Sequence, residues 1–265
     1  MANKKKDNKP RVLVYDIETA PILANVWGIW EQNVGLNMIE QDWHILAWAA
    51  KWLGDPASKI MYADQRNAKK VDDDKKLLEG IWKLLDEADI VITQNGKSFD
   101  EKKLNARFVL NGMKPPSSYR HIDTKQIASK KFAFTSNKLE YMTSKLCTKY
   151  KKLTHKKFPG YELWRECLAG NLQAWKEMEK YNKYDVLSLE ELYTKLQAWD
   201  NSINFSVFSD DLSYTCNCGS TNIQKNGYAY GKFGKYQRYY CGDCGAEVRG
   251  RTNLLSKEKK GSLLV

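Results

Sequence analysis

Asp16 and Glu18 stand one residue apart at the end of the apolar run Val12–Tyr15. On a strand, residues i and i+2 point to the same side, so this run presents two carboxylates together. Like charges held that close are unfavourable unless a cation lies between them, and a hard divalent ion with oxygen ligands suits the place. Such an ion asks for further carboxylates. Asp100 is one candidate, after a short apolar run over 89–93 and a turn at Asn95-Gly96. Asp185 is another, in a helical pattern that puts Tyr181 four residues before it on the same face. Each also has a simpler use. Asp16 can end a strand, Asp100 can cap the following helix, and Tyr181 with Asp185 can form a solvated helical face. Asp123, just before Thr124, reads as a local cap. His44, His121 and His155 share no spacing with one another or with these residues and are assigned no role.

A second group is made of thiols. Cys216 and Cys218 form one close pair and Cys241 and Cys244 another, with 22 residues between the pairs. Four thiolates in two close pairs suit one tetrahedral Zn²⁺ with every position filled, which makes it a structural site. Two disulfides are the alternative. The basic start of the chain, Met1 to Lys9, lacks the apolar stretch of a secretory signal, so a reducing, cytoplasmic setting is expected and favours metal. Cys147 and Cys167 lie alone in helical stretches and read as buried small apolar residues.

These residues must be carried by regular elements. Strand character runs over 12–15, 24–30, 45–53, 59–62 and 89–93, and helical spacing over 71–88 and 104–110, the latter stopping at Asn111-Gly112. From Thr124 to Trp199 helical patterns dominate. Several strands, then helix, strand, helix and a helical second half predict an α/β fold, a mixed sheet flanked by helices. The expected divisions are a disordered basic tail over 1–9, a large domain over 10–200, a linker over 201–211, a small β module over 212–252 and a basic tail over 253–265. The 265-residue chain, 42% hydrophobic and 28% charged, has room for one such domain and a small appendage. Its net charge of +11 points to a polyanionic partner, nucleic acid before an anionic membrane surface. No apolar run reaches the length of a membrane span.

Three motifs, in order, resemble those of the DEDD-type 3′–5′ exonucleases, DnaQ-like members of the RNase H-like superfamily. Asp16-Ile-Glu18 is similar to the first, Asn95-Gly-Lys-Ser-Phe-Asp100 to the second and Tyr181-Asn-Lys-Tyr-Asp185 to the third. The tyrosine four residues before Asp185 fits the tyrosine subclass, shared with proofreading domains of family B polymerases; the sister subclass has histidine where this chain has Lys180. The resemblance covers roughly residues 10 to 200. It implies an RNase H-like fold in which Asp16, Glu18, Asp100 and Asp185 hold two Mg²⁺ or Mn²⁺ ions, and Tyr181 orients the attacking water. Two such ions about 3.5–4 Å apart suit phosphodiester hydrolysis, and oxygen-only ligands favour Mg²⁺ or Mn²⁺ over softer ions.

The segments Cys218–Gly227 and Gln237–Gly245 resemble a zinc ribbon of the kind appended to transposases and other nucleic-acid enzymes. The departure is a first pair with one intervening residue in place of two. From Asp211 onward there are nine Lys/Arg and four Asp/Glu, a net of +5. Lys232, Lys235 and Arg238 interleave with Tyr236, Tyr239 and other aromatics, which suits single-stranded nucleic acid, although β-ribbon packing would use the same aromatics. The expected function is a 3′–5′ exonuclease on DNA, acting on single-stranded 3′ ends. It is either free-standing or a proofreading subunit of a DNA polymerase encoded elsewhere. The alternatives are an exoribonuclease on the same scaffold, with RNA as substrate, and a non-catalytic nucleic-acid-binding protein.

Overall fold

The structure is a computed structural model that describes residues 9–153 and 157–264. The expected disordered tail therefore lies almost wholly outside the described residues, as does His155. The elements run β1 (Val12–Thr19), β2 (Leu23–Ala24), β3 (Ile39–Gln41), β4 (Ile45–Trp52), β5 (Met61–Asp64), α1 (Lys75–Glu87), β6 (Ile90–Thr93), α2 (Asp100–Leu110), β7 (Arg120–Asp123), α3 (Thr124–Lys131), α4 (Leu139–Leu146), α5 (Glu162–Leu168), α6 (Leu172–Leu196), β8 (Ile223–Gly231), β9 (Gly234–Cys241), β10 (Glu247–Arg249) and α7 (Lys257–Gly261). They divide into two compact units, one over Arg11–Leu192 and one whose main part is Tyr193–Val265.

The first unit is built on a five-stranded sheet in the order β5-β4-β1-β6-β7. β1 runs antiparallel to β4 and parallel to β6, so the sheet is mixed. Strand alternation sorts the side chains of β1. Leu13, Tyr15 and Ile17 pack on one face against Leu77, Leu78, Ile81 and Leu85 of α1 and Leu104 and Phe108 of α2. Asp16 and Glu18 must then point to the other face. There Ala47 packs with Trp175, Met178 and Tyr181 of α6 and Leu163 and Cys167 of α5. The cross-strand neighbours of the two acids are Ala49 and Ala47, whose small side chains leave the carboxylates room. This is the expected mixed sheet with helices on both faces.

A buried carboxylate locks the helix that begins at Asp100. Asp74, just ahead of α1, accepts two bonds from the Arg107 guanidinium at 2.7 and 2.8 Å and one from the Ile45 backbone N–H at 2.9 Å. Breaking such a buried, fully bonded pair by removing one partner is costly, on the order of 3–5 kcal/mol.

The strand expected over 24–30 does not form. Only Leu23–Ala24 pairs, with β3, and the residues beyond leave Trp27, Ile29 and Trp30 at 97%, 83% and 81% exposure. Apolar content without a neighbouring edge to pair with does not make a strand.

The second unit carries a three-stranded antiparallel sheet in the order β10-β9-β8. β8 and β9 meet across the two-residue turn Lys232-Phe233. Within the span expected as a linker, Phe205 is buried and its backbone N–H donates to the Asn217 carbonyl at 2.8 Å. The span expected as a basic tail is also ordered where described. Leu254 N–H donates to the Lys235 carbonyl at 2.7 Å, and Ser256 caps α7. No helix among the described residues is long and apolar enough to cross a membrane.

Candidate active site and cysteine cluster

β1 delivers Asp16 and Glu18, and α6 delivers Asp185 to the same side of the sheet. One carboxylate oxygen from each lies within 4.8 Å of the other two. Tyr181, one helical turn before Asp185, packs its ring edge-on against Trp164 at 6.1 Å. Asp100 is buried beside this triad but turned towards the backbone, and its Oδ1 accepts the Ile17 N–H at 3.2 Å. Of the four carboxylates expected to act together, three fall in this one group, while Asp100, the charge that most strongly repels Asp16, also braces the strand between the first two.

The electrostatics follow from this crowding. Burial first, then repulsion from Asp100 and Asp185, raises the Asp16 carboxyl well above its ordinary range. Burial and repulsion from Asp185 push Glu18 up to about 8, and burial pushes Asp100 up to about 7. Burial also raises the Tyr181 phenol, with Asp185 and Glu18 adding to it. Lys152 is the cation whose field opposes the shifts of Asp16 and Glu18. Its ammonium lies 2.5 Å from Asp185 Oδ2 and 4.5 Å from the centre of the Tyr181 ring. One ammonium against three carboxylates leaves an excess of negative charge that a divalent cation would relieve, so the donor set fits a hard metal ion.

The turn carrying Asp100 is held by a separate network. Asn95 adopts the left-handed conformation at φ 67°, which asparagine tolerates. A Cβ on Gly96 would collide with the Thr93 side chain, so only glycine fits there. Asp123 caps α3 through the Lys125 N–H at 3.0 Å and also accepts the Asn95 N–H at 2.9 Å, so it clamps the turn as well as the helix. His121, lowered in pKa chiefly by burial, bridges Thr93 Oγ1 at 2.8 Å and Glu101 at 3.0 Å. The neutral ring with its proton on Nδ1 satisfies both: it donates to Glu101 and accepts from Thr93. His44 is buried in the first unit, away from these bonds.

Three residues of the site escaped sequence reasoning. Asn182 donates from Nδ2 to Asp16 Oδ2 at 2.7 Å. Its position inside the third motif was the available signal. Trp164 is hydrogen-bonded to Glu18 and had no sequence signal. Lys152 sits in a run of lysines indistinguishable from a solvated face. Beside the triad, a groove of about 300 Å³ is lined in part by Asn95, Lys125, Lys138 and Lys152.

In the second unit all four cysteine sulfurs fall within 4.8 Å of one another. Cys216 and Cys244 Sγ are 3.6 Å apart, and Cys218 and Cys241 Sγ 3.8 Å. Disulfides need about 2.05 Å. A tetrahedron with metal–sulfur bonds near 2.3 Å has edges of about 3.8 Å, so the cluster fits zinc. The short first pair is accommodated by a turn through Gly219 at φ 85°, with its N–H donating to the Cys216 carbonyl at 2.9 Å. The five residues expected at nucleic acid are not on one surface. Lys235 and Tyr239 lie on one face of β9, Tyr236 and Arg238 on the other, and Lys232 in the hairpin turn.

A family model of the RNase H superfamily matches residues 53–197, more than half of the chain. The match includes Asp100, Tyr181 and Asp185 and leaves β1, with Asp16 and Glu18, outside it. No curated protein matches the sequence. Among solved structures, the chain is similar to the family B DNA polymerase from the hyperthermophilic archaeon Pyrobaculum calidifontis, at 14% identity and a TM-score of 0.49. That similarity covers 71% of this chain and 25% of the polymerase. The chain thus spans about a quarter of that polymerase's length.

Proposed function

The chain belongs to the RNase H superfamily, and from that premise we propose that it is a nucleic-acid nuclease, a metal-dependent 3′–5′ exonuclease of the DEDD type in its tyrosine subclass. The proposed substrate is the single-stranded 3′ end of DNA. The observation that carries the reading is the convergence of Asp16, Glu18 and Asp185, from elements at opposite ends of the first unit's sequence, onto one point of the sheet. Asp16, Glu18 and Asp185 would hold the catalytic Mg²⁺ or Mn²⁺ ions, with Asp100 completing the set. When bound, such ions supply a hydroxide-like nucleophile and neutralise the charge that develops on the phosphate.

The chain's own residues divide the remaining work. Asn182 fixes the direction of the Asp16 carboxylate, and Asp100 holds the strand between Asp16 and Glu18. Tyr181, its phenol kept protonated by burial, is a hydrogen-bond donor suited to orienting a water rather than removing its proton. Lys152 supplies positive charge at the mouth of the site. The groove lined by Lys125, Lys138 and Lys152, with Glu140 as its single acid, suits the phosphates of an incoming strand. The C-terminal unit is proposed to be a zinc ribbon, with one structural Zn²⁺ on Cys216, Cys218, Cys241 and Cys244, that adds grip on nucleic acid. Four free thiols in one cluster suit a reducing, cytoplasmic compartment. The domain division at residues 10–200 and 212–252, and a separate DNA polymerase as partner in proofreading, belong to the same reading.

The test uses 5′-labelled single-stranded DNA and RNA with Mg²⁺ or Mn²⁺, beside an Asp16→Ala, Glu18→Ala variant. A ladder of shortening DNA made only by the intact protein is expected. RNA degraded with DNA untouched would convert the reading to an exoribonuclease, and neither cut would leave a binding protein.

A further inference from the structure

The sheet of the C-terminal unit has two faces of different chemistry. On one, Arg238 donates to the Asn226 carbonyl at 2.8 Å and lies 3.5 Å from Glu247, and Arg249 lies over the Tyr236 ring at 4.1 Å. The cations of that face are engaged within the sheet. The other face holds Lys235, Gln237 and Tyr239 of β9 with their cross-strand partners Tyr230, Tyr228 and Lys225 of β8.

That second face contains a pocket of about 550 Å³, within the range of small-molecule sites. Ile223 and Leu254 supply apolar surface, Lys225 and Gln237 polar surface, and no carboxylate lines it. Tyr214 and Tyr239 form its aromatic wall, stacked at 5.7 Å with 25° between their planes. Tyr214 is nonetheless 68% exposed, so one face of its ring is open. A stacked pair with an open outer face is a platform for another flat ring, and a lysine beside it supplies charge for a phosphate.

We propose that this pocket binds one nucleobase of a single strand, stacked on Tyr214, with the adjoining phosphate held by Lys225. The proposal rests on the reading that the C-terminal unit grips nucleic acid, and it gives that grip a place. Both N–H bonds of the Gln237 amide are spent on the backbone, on the Gly227 and Arg238 carbonyls at 2.8 and 3.0 Å. Those two donors are therefore closed to a base edge, and stacking on Tyr214 carries the binding. Lys235, 3.8 Å over the exposed Tyr228 ring, continues the same face along the hairpin.

The test is fluorescence anisotropy with labelled oligo-dT and oligo-U on the zinc-loaded full-length chain carrying Asp16→Ala, so that the probes survive. Tyr214→Ala and Lys225→Ala are expected to weaken binding of at least one probe about tenfold, while Tyr214→Phe, which keeps the stack, stays within about twofold. Tyr236→Ala, on the other face, should also stay within about twofold, with zinc content unchanged in every variant. Tyr214→Ala binding both probes like its parent would overturn the pocket. If Cys241→Ser then weakens binding, the C-terminal unit still grips nucleic acid elsewhere; if it does not, that broader reading falls with the pocket.

Discussion

At the scale of single residues, Asn182 shows how a carboxylate of the candidate site is aimed. It is fully buried, its Nδ2 reaches Asp16, and it stands between Tyr181 and Asp185 on α6. Groups that orient metal ligands typically contribute 10- to 100-fold to metal affinity or activity. Asn182→Leu should therefore lose about 10- to 100-fold in cleavage rate and need more Mg²⁺ to reach half its maximum. A Mg²⁺ titration of the rate checks this; an unchanged requirement would reduce Asn182 to packing. The raised carboxyls make a second prediction. Glu18 at about 8 and Asp100 at about 7 titrate above their unfolded values. Their protonated forms stabilise the fold fully below those unfolded values, and this contribution is lost as pH rises through about 7 to 8. Protein free of added Mg²⁺ should melt at a lower temperature above that window than below it. Mg²⁺ should raise the melting temperature more on the alkaline side, where the ligands are already deprotonated. Scanning fluorimetry with and without Mg²⁺ reads both effects, and an equal Mg²⁺ effect on the two sides would count against these carboxylates as the ligands.

At the scale of elements, the turn between β6 and α2 is the part most dependent on local detail. Gly96 packs against Thr93, and Asp123 and His121 bind the turn from β7. Gly96→Ala should cost about 1–3 kcal/mol through overpacking, and should lower cleavage because α2 begins four residues later at Asp100. Thermal denaturation and the cleavage assay together test it, and a loss of stability with full activity would separate the turn from the site. Most of these elements were legible. The apolar run before Asp16 is β1, the helical spacing over 71–88 contains α1, and 45–53 contains β4. The span 24–30 was misleading, because Trp27 and Trp30 look like core residues and yet no edge or layer among the described residues covers them.

At the scale of the molecule, two compact units carry separate candidate metal-ligand sets, carboxylates in one and thiolates in the other. Purified protein should contain one zinc per chain, and Cys241→Ser should lose it. Because the helices α1 to α5 lie in the first unit, most of the helical circular dichroism should survive that loss, together with slow cleavage of short substrates. Zinc analysis, circular dichroism and the cleavage assay check the three statements; collapse of the helical signal would show that the first unit does not stand alone. The net charge of +11 belongs to this scale too. It indicated a polyanionic partner without saying which surface meets it, since charge adds over the whole chain while contact depends on which side chains share a face.

The sequence by itself determined the ligand types and their local spacing. The Asp16–Glu18 alternation, the Tyr181–Asp185 turn and the two cysteine pairs each need only a few bonded neighbours to take shape, so local periodicity reveals them. Only the tertiary structure decided which of these meet. The packing of α6 across the sheet brings Asp185 to β1 and leaves Asp100 bonded to the backbone of Ile17. The same packing brings in Asn182, Trp164 and Lys152, whose partners lie far off in the chain. In the second unit the pleat of β9 divides five expected contacts between two faces, and pairs Tyr239 with Tyr214, 25 residues before it. Those outcomes depend on how layers pack and strands register, and no short stretch of sequence carries that information.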